Sequence, residues 1–350
     1  LSFFDTQWVV FPPIQRVFLY ELPGAGGDDD DEFPAAVRRL KDSLAATLAL
    51  YIPLAGKLAY VSETGDVVVD CAGDPGVAFI EAEAADGSGM DVRGLATDEA
   101  HDIRAFQALV PPLDTRVLPA PVLSVQATRL PGRGLALGLS KHHAVADGQA
   151  VWRFMGAWAA AAREGSPVTK TLGAPHYDRE VVQIPNGDEF ARDMLRNVAP
   201  NLPVVRTPYP TYLSSISFCI VFFSSLFVTK MAAGFDFSKP FRLARRTFYL
   251  ADDDIRALKR RIDALAAAEE EKDAGSNATA GTSKKKPVST FVAVAALGWT
   301  AFVRAKGLAA GADTYLVFVA DLRARLDPPV ADGYLGNCIK GCLATADAGD

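Results

Sequence analysis

A chain of 350 residues, 49% hydrophobic and 22% charged, has the material for one large domain or two of ordinary size and is not a disordered protein. Its net charge of −6, with no Lys/Arg-rich tract interleaved with aromatics, argues against nucleic acid as a partner. Four irregularly spaced cysteines (Cys71, Cys219, Cys338, Cys342) do not form a disulfide framework. Cys338 and Cys342 lack the second pair or nearby histidine that zinc requires, so all four read as reduced cytosolic thiols, mostly buried, and no metal site is expected.

The opening FFDTQWVVFPPIQRVFLYEL mixes aromatics with a Pro-Pro break before a strand-like run at Val17–Tyr20. The acidic loop PGAGGDDDDEF follows. Val37, Leu40, Leu44, Leu48 and Tyr51 then recur at helical spacing, and Pro53 ends that helix. Short strands are expected near Leu58–Val61 and Val67–Cys71. Between Val122 and Ser140, VLSVQATRL and LALGLS flank the turn PGRG and predict a hairpin. SKHHAVADGQAVW comes next, with Asp147 in the N-cap position of an amphipathic helix.

The run from Thr207 to Thr229 carries no charge. It reads as a linker, a core strand or translated non-coding sequence; a membrane span is disfavoured by its two early prolines, its serines and the lack of flanking charge asymmetry. Beyond it, FRLARRTFYLADDDIRALKRRIDAL predicts a strand, an acidic start signal and a basic amphipathic helix. EEEKDAGSNATAGTSKKKP is a low-complexity surface loop whose Asn277 sequon carries little weight without a secretory leader. STFVAVAALGWTAFVRAK predicts a largely buried helix capped by Ser289 or Thr290, and TYLVFVADLRARLDPP a strong strand. The chain begins at Leu1 without a leader and stops after ADAGD, so both ends read as cut from a longer protein.

Chemistry concentrates at the paired histidines. A neutral imidazole at His143, on a turn after a strand, can accept a proton near neutral pH. Gly148 lets the backbone turn and a substrate approach. Asp147 can orient the ring as in a triad, or turn away to cap the helix and pair with an arginine. A structural histidine is the competing reading. His101 and His176 lack ligand spacing for a metal, and the Gly-x-Ser-x-Gly elbow, Walker loop and dinucleotide fingerprint are missing.

HHAVADG resembles the His-x-x-x-Asp-Gly signature of the BAHD acyltransferases, plant coenzyme-A-dependent enzymes, and four further segments are similar to that family in the same order. These are LSFFDTQWVVFPPIQRVFLYE, LKDSLAATLALYIPLAGKL, STFVAVAALGWTAFVRAK and DLRARLDPPVADGYLGNC. The first and last look like its aromatic-acyl and malonyl branch, with Leu335 where that branch often has phenylalanine. The family's second signature, Asp-Phe-Gly-Trp-Gly, is not reached before Asp350.

The resemblance implies an α/β, two-domain fold of the chloramphenicol-acetyltransferase type, each half a mixed sheet with helices around a solvent channel. Its expected parts are residues 1–195, a crossover over 196–235 holding the anomalous run, and a truncated half over 236–350. It implies His143 as general base, His142 as its neighbour, and Asp147 paired with Arg323 or Arg325 in a supporting role. Ser289, Thr290 and Lys284 are coenzyme A contacts in this reading, with capping and simple solvation as alternatives. Trp8 and its aromatic neighbours read first as core packing, with an acceptor-pocket wall as the functional alternative. The implied reaction is direct O-acyl transfer from malonyl- or hydroxycinnamoyl-coenzyme A, a co-substrate, to a flavonoid or phenolic glycoside. No cofactor is permanently bound, and the protein is expected to be a cytoplasmic monomer without a membrane partner. A truncated, catalytically inactive relative that binds a ligand is the rival reading.

Overall fold

The computed structural model describes residues 1–23, 32–73, 75–85, 88–169, 172–206, 244–245, 247–274 and 287–349. The run 207–229, Lys284, Cys219 and the Asn277 sequon lie outside the described residues, as does most of the expected 196–235 crossover. Two compact units emerge, Leu1–Arg246 with Val319–Cys342, and Thr247–Phe318 with Leu343–Asp350.

The first unit is built on a four-stranded sheet. Strand β1 (Ile14–Glu21) lies antiparallel to β6 (Gly134–Lys141), β6 antiparallel to β5 (Leu123–Leu130), and β5 parallel to β4 (Ala78–Glu83). Strands β2 (Lys57–Val61) and β3 (Asp66–Asp70) form a separate antiparallel ladder, to which Ala120–Pro121 adds an edge. The expected hairpin is present in the register Leu130↔Gly134, its turn carried by Gly132 and Arg133 in the left-handed region. All eight β6 residues are buried, as a continuously apolar central strand requires. At Gly138 a Cβ would stand 1.9 Å from the Leu109 carbonyl oxygen, so only glycine lets the two backbones approach.

Helix α1 is the single turn Phe3–Thr6. Helix α2 (Glu32–Leu48) packs on α3 (Gly148–Glu164), where the Trp158 indole donates to the Leu40 carbonyl (3.2 Å) and the Ser43 hydroxyl (3.0 Å). Asp147 caps α3 through the Ala150 amide (3.0 Å), and Gly165 closes it in the left-handed conformation. Gly148 is simply the first helical residue with ordinary backbone, so the sharp turn expected there is not formed; its missing Cβ leaves open space instead. Helix α4 is Gly187–Val198.

In the second unit, α5 (Asp252–Ala274) starts on three aspartates, which suit the positive end of a helix dipole. Helix α6 (Thr290–Lys306) is capped by Ser289, whose hydroxyl accepts from the Val292 amide (3.2 Å). The expectation that α6 is largely buried is corrected. Ala293 alone of its residues is fully buried, while Phe291, Val292 and Phe302 are exposed, because this small unit offers too few elements to cover an apolar helix all round. Strands β7 (Asp313–Asp321) and β8 (Ile339–Asp347), each of which has residues in both units, pair with each other. Of the described cysteines, Cys338 is buried and Cys71 and Cys342 are half-buried, a correction to the expectation of mostly buried thiols.

Candidate active site

Strand β6 ends at Lys141 and the chain enters a short 3-10 turn, His143–Val145, before Asp147 starts α3. His142 caps that turn, its Nδ1 accepting from the Ala144 amide at 3.2 Å. Burial lowers its pKa to about 3, with the Lys141 charge contributing, so it is a neutral structural residue. His143 lies one position further on, with its ring stacked on Trp8 at 4.0 Å between centroids. Burial, then the Lys141 charge, lower the His143 pKa well below 6.5. Hydrogen bonds to its own backbone carbonyl and to the Asn337 side chain oppose the shift. The imidazole is therefore neutral at physiological pH.

Asp147 faces away from the ring. Its carboxylate pairs with Arg323 through Nη1 (2.8 Å) and Nη2 (3.0 Å), and also accepts from the Cys338 and Ala150 amides, each at 3.0 Å. Arg323 is 1% exposed, and its guanidinium also donates to the carbonyls of Tyr334 and Gly336. Of the two arginines expected as partners, Arg323 is the one engaged. Arg325 is exposed because the chain leaves β7 at Asp321 and enters a 3-10 turn, so the strand expected over TYLVFVADLRARLDPP stops before either arginine.

A second buried ionic group holds the other side of the turn. Asn337 Nδ2 donates to the His143 carbonyl (3.0 Å) and to Asp5 (2.9 Å), and its amide also reaches Asp5 (2.8 Å). Arg179 pairs with Asp5 (3.1 Å) and donates to the carbonyls of Val145 (3.0 Å) and Leu335. Burial alone would raise the Asp5 pKa, but Arg179 and Asn337 outweigh it and hold the carboxyl below its usual range. Asp5, Arg179 and Asn337 were not singled out as site residues, and no local pattern marks three residues so far apart in the chain.

His143 opens on a cavity of about 220 Å³ between the sheet and α3. Ile14, Arg16 and Phe18 line it from β1, Leu139 and Lys141 from β6, and Gly148, Val151, Trp152 and Met155 from α3. Trp8 is 3% exposed and backs the imidazole, which is the core-packing reading and not the pocket-wall one; Phe18, Trp152 and Phe154 supply the aromatic lining. Lys141 and Arg16 were also missed. The signal for Lys141 was available, since a lysine closing a continuously apolar strand has nowhere to be but in or near the core. Ser289 and Thr290 are exposed residues of the second unit, with Ser289 engaged as a cap. Among the described residues no cluster of three or more His, Cys, Asp or Glu could hold a metal, and no helix is long and apolar enough to cross a membrane.

A mixed α/β chain with a histidine turn clamped in this way belongs to a defined class. The chain is a member of the Transferase family, the BAHD acyltransferases anticipated from its motifs: the family model matches residues 1–208 and 245–350. It is 30% identical over 346 residues to malonyl-CoA:anthocyanidin 5-O-glucoside-6''-O-malonyltransferase of Arabidopsis thaliana, covering 97% of this chain and 65% of that protein. It is also 30% identical over 351 residues to phenolic glucoside malonyltransferase 2 of the same plant, with the same two coverages. The chain thus spans about 65% of the length of these relatives. Vinorine synthase is a structural neighbour at a TM-score of 0.56 and 20% identity, covering 99% of this chain and 66% of that one, which shows the α/β fold.

Proposed function

We propose that this chain carries the general base of an acyl-CoA-dependent O-acyltransferase that moves a malonyl group to a hydroxyl of an anthocyanin, flavonoid or phenolic glycoside. The observation that carries the reading is a neutral His143 ring at the wall of an apolar cavity, held from behind by Trp8 and below by Asn337. Nδ1 is buried in the protein, and in this reading Nε2 is the nitrogen that serves the cavity. His143 takes the proton of the acceptor hydroxyl as its oxygen attacks the thioester carbonyl. The tetrahedral intermediate then expels the coenzyme A thiolate, which recovers the proton, and the acyl oxygen–carbon bond replaces the carbon–sulfur bond. No acyl-enzyme forms. Asp147 is a positioning residue, since all its contacts lie on the far side of the turn. Malonyl as donor and a glycoside as acceptor follow the activities for which the two Arabidopsis relatives are named. The enzyme works in this reading as a cytoplasmic monomer without a resident cofactor.

The test is release of free coenzyme A thiol from malonyl-CoA with a panel of phenolic glucosides, by the wild-type chain and by His143→Ala. General-base loss typically costs about 10²–10⁴-fold in rate. Equal rates in both proteins overturn the assignment. A folded wild-type chain with no turnover favours the non-catalytic relative.

A further inference from the structure

The cavity beside His143 is apolar except for two cations. Residues 14, 16 and 18 alternate along β1 and share one face, which lines the cavity. The register places Arg16 opposite Leu139, with Lys141 two residues further along the same face of β6. That diagonal spacing in an antiparallel pair, about 7–8 Å, lets two long side chains converge on one small group. Arg16 is exposed, its guanidinium carbon 6.0 Å from the centre of the exposed Trp152 ring, so these two mark the solvent side. Lys141 is 7% exposed and, with His143, marks the inner end.

Neither cation is neutralised. Among the described residues no acidic side chain lines the cavity, and neither Arg16 nor Lys141 forms an ion pair. The Lys141 ammonium donates to the Ala146 carbonyl, which takes one of its three protons. Burial lowers the Lys141 pKa to about 7; the Asp147 and Asp5 carboxylates, neither of which pairs with it, oppose the shift, and Arg16 adds to the lowering. A buried ammonium with protons to spare is costly unless something completes it.

We infer that Arg16 and Lys141 form a carboxylate subsite that takes the free end of a short dicarboxylic acyl group, so that the acyl donor is a malonyl-type thioester and not a hydroxycinnamoyl one. This rests on the acyl-transfer reading above. A three-carbon malonyl unit can span from a thioester carbonyl beside His143 to the two cations. A flat hydroxycinnamoyl group would press an aromatic ring against Lys141 and leave it uncompensated.

The experiment compares malonyl-CoA with acetyl-CoA, which differ by this carboxylate, in wild type, Arg16→Leu, Arg16→Lys and Lys141→Met. Turnover is read as the ratio of kcat/KM values, and binding is measured by calorimetry in the His143→Ala background. Wild type should favour malonyl-CoA, and Arg16→Leu should reduce the ratio about tenfold or more, mainly through KM. Arg16→Lys should recover part of it, which a merely structural role for Arg16 does not predict. Lys141→Met also changes stability, because it removes a buried cation, so Arg16 carries the decision. A ratio unchanged in folded Arg16→Leu, or a wild type indifferent to the carboxylate in both assays, overturns the subsite. Selective binding of malonyl-CoA that depends on Arg16, without turnover, upholds the subsite and removes the proposed activity.

Discussion

Replacing Asp147 by alanine separates a structural anchor from a catalytic one. The carboxylate is fully buried and accepts three hydrogen bonds, one of them from a guanidinium that is itself 1% exposed and makes a second ion-pair contact with it at 2.8 Å. Stripping one partner from a buried ion pair costs about 3–5 kcal/mol, because the remaining charge stays desolvated. Loss of the α3 cap adds about 1 kcal/mol. The sum, about 4–6 kcal/mol, is of the same order as the whole stability of an ordinary domain. In an Arg323→Met background the same change should cost only about 1–2 kcal/mol, for the cap and the Cys338 amide. Urea denaturation of the four proteins measures the coupling directly. If Asp147→Ala denatures at the wild-type midpoint yet loses catalysis, the aspartate acts on the imidazole and the anchor argument is wrong.

Acid should destabilise the fold through the two adjacent histidines. Both have folded pKa values below the unfolded value of about 6.5, so their stabilising effect is complete above that pH and is lost as the pH falls toward the folded values. The unfolded chain binds the extra protons, giving about 1.4 kcal/mol per group for each pH unit below 6.5, and His142→Asn should remove about half the slope in urea melts at pH 7.5 and 5.5. Lys141, lowered to about 7, acts with the same sign at higher pH, so stability should climb from pH 7 toward 10 and Lys141→Met should flatten that climb. Gly138→Ala forces a methyl to within 1.9 Å of the Leu109 carbonyl oxygen; a melting loss of about 3 kcal/mol is expected, and an unchanged melt would mean the two backbones part freely.

Local chemistry made much of the first unit legible. The helix read from apolar spacing at positions 37–51 is α2, ending three residues early at Leu48. The hairpin read around PGRG lies within one residue of its expected bounds. Both depend on turn residues and periodicity within a short window. Motif order identified the family, and the His143 turn came with it. What escaped depends on distance along the chain or on what surrounds an element. Asn337 meets Asp5 across 332 residues, and nothing near either residue announces it. The choice between Arg323 and Arg325 turned on whether the strand continued past Asp321. The exposure of α6 follows from how few neighbours its unit supplies. Lys141 sat in plain view but was overshadowed by the histidines beside it.

The two clamps on the histidine turn draw on opposite ends of the described chain, Asp5 on one side and Arg323 with Asn337 on the other. A nascent polypeptide can therefore form its central hairpin long before the residues that steady His143 have been synthesised. Closing such long loops is slow relative to local folding. The reactive geometry thus matures after the local elements around it, and a chain synthesised only as far as the hairpin carries the histidine without the means to aim it.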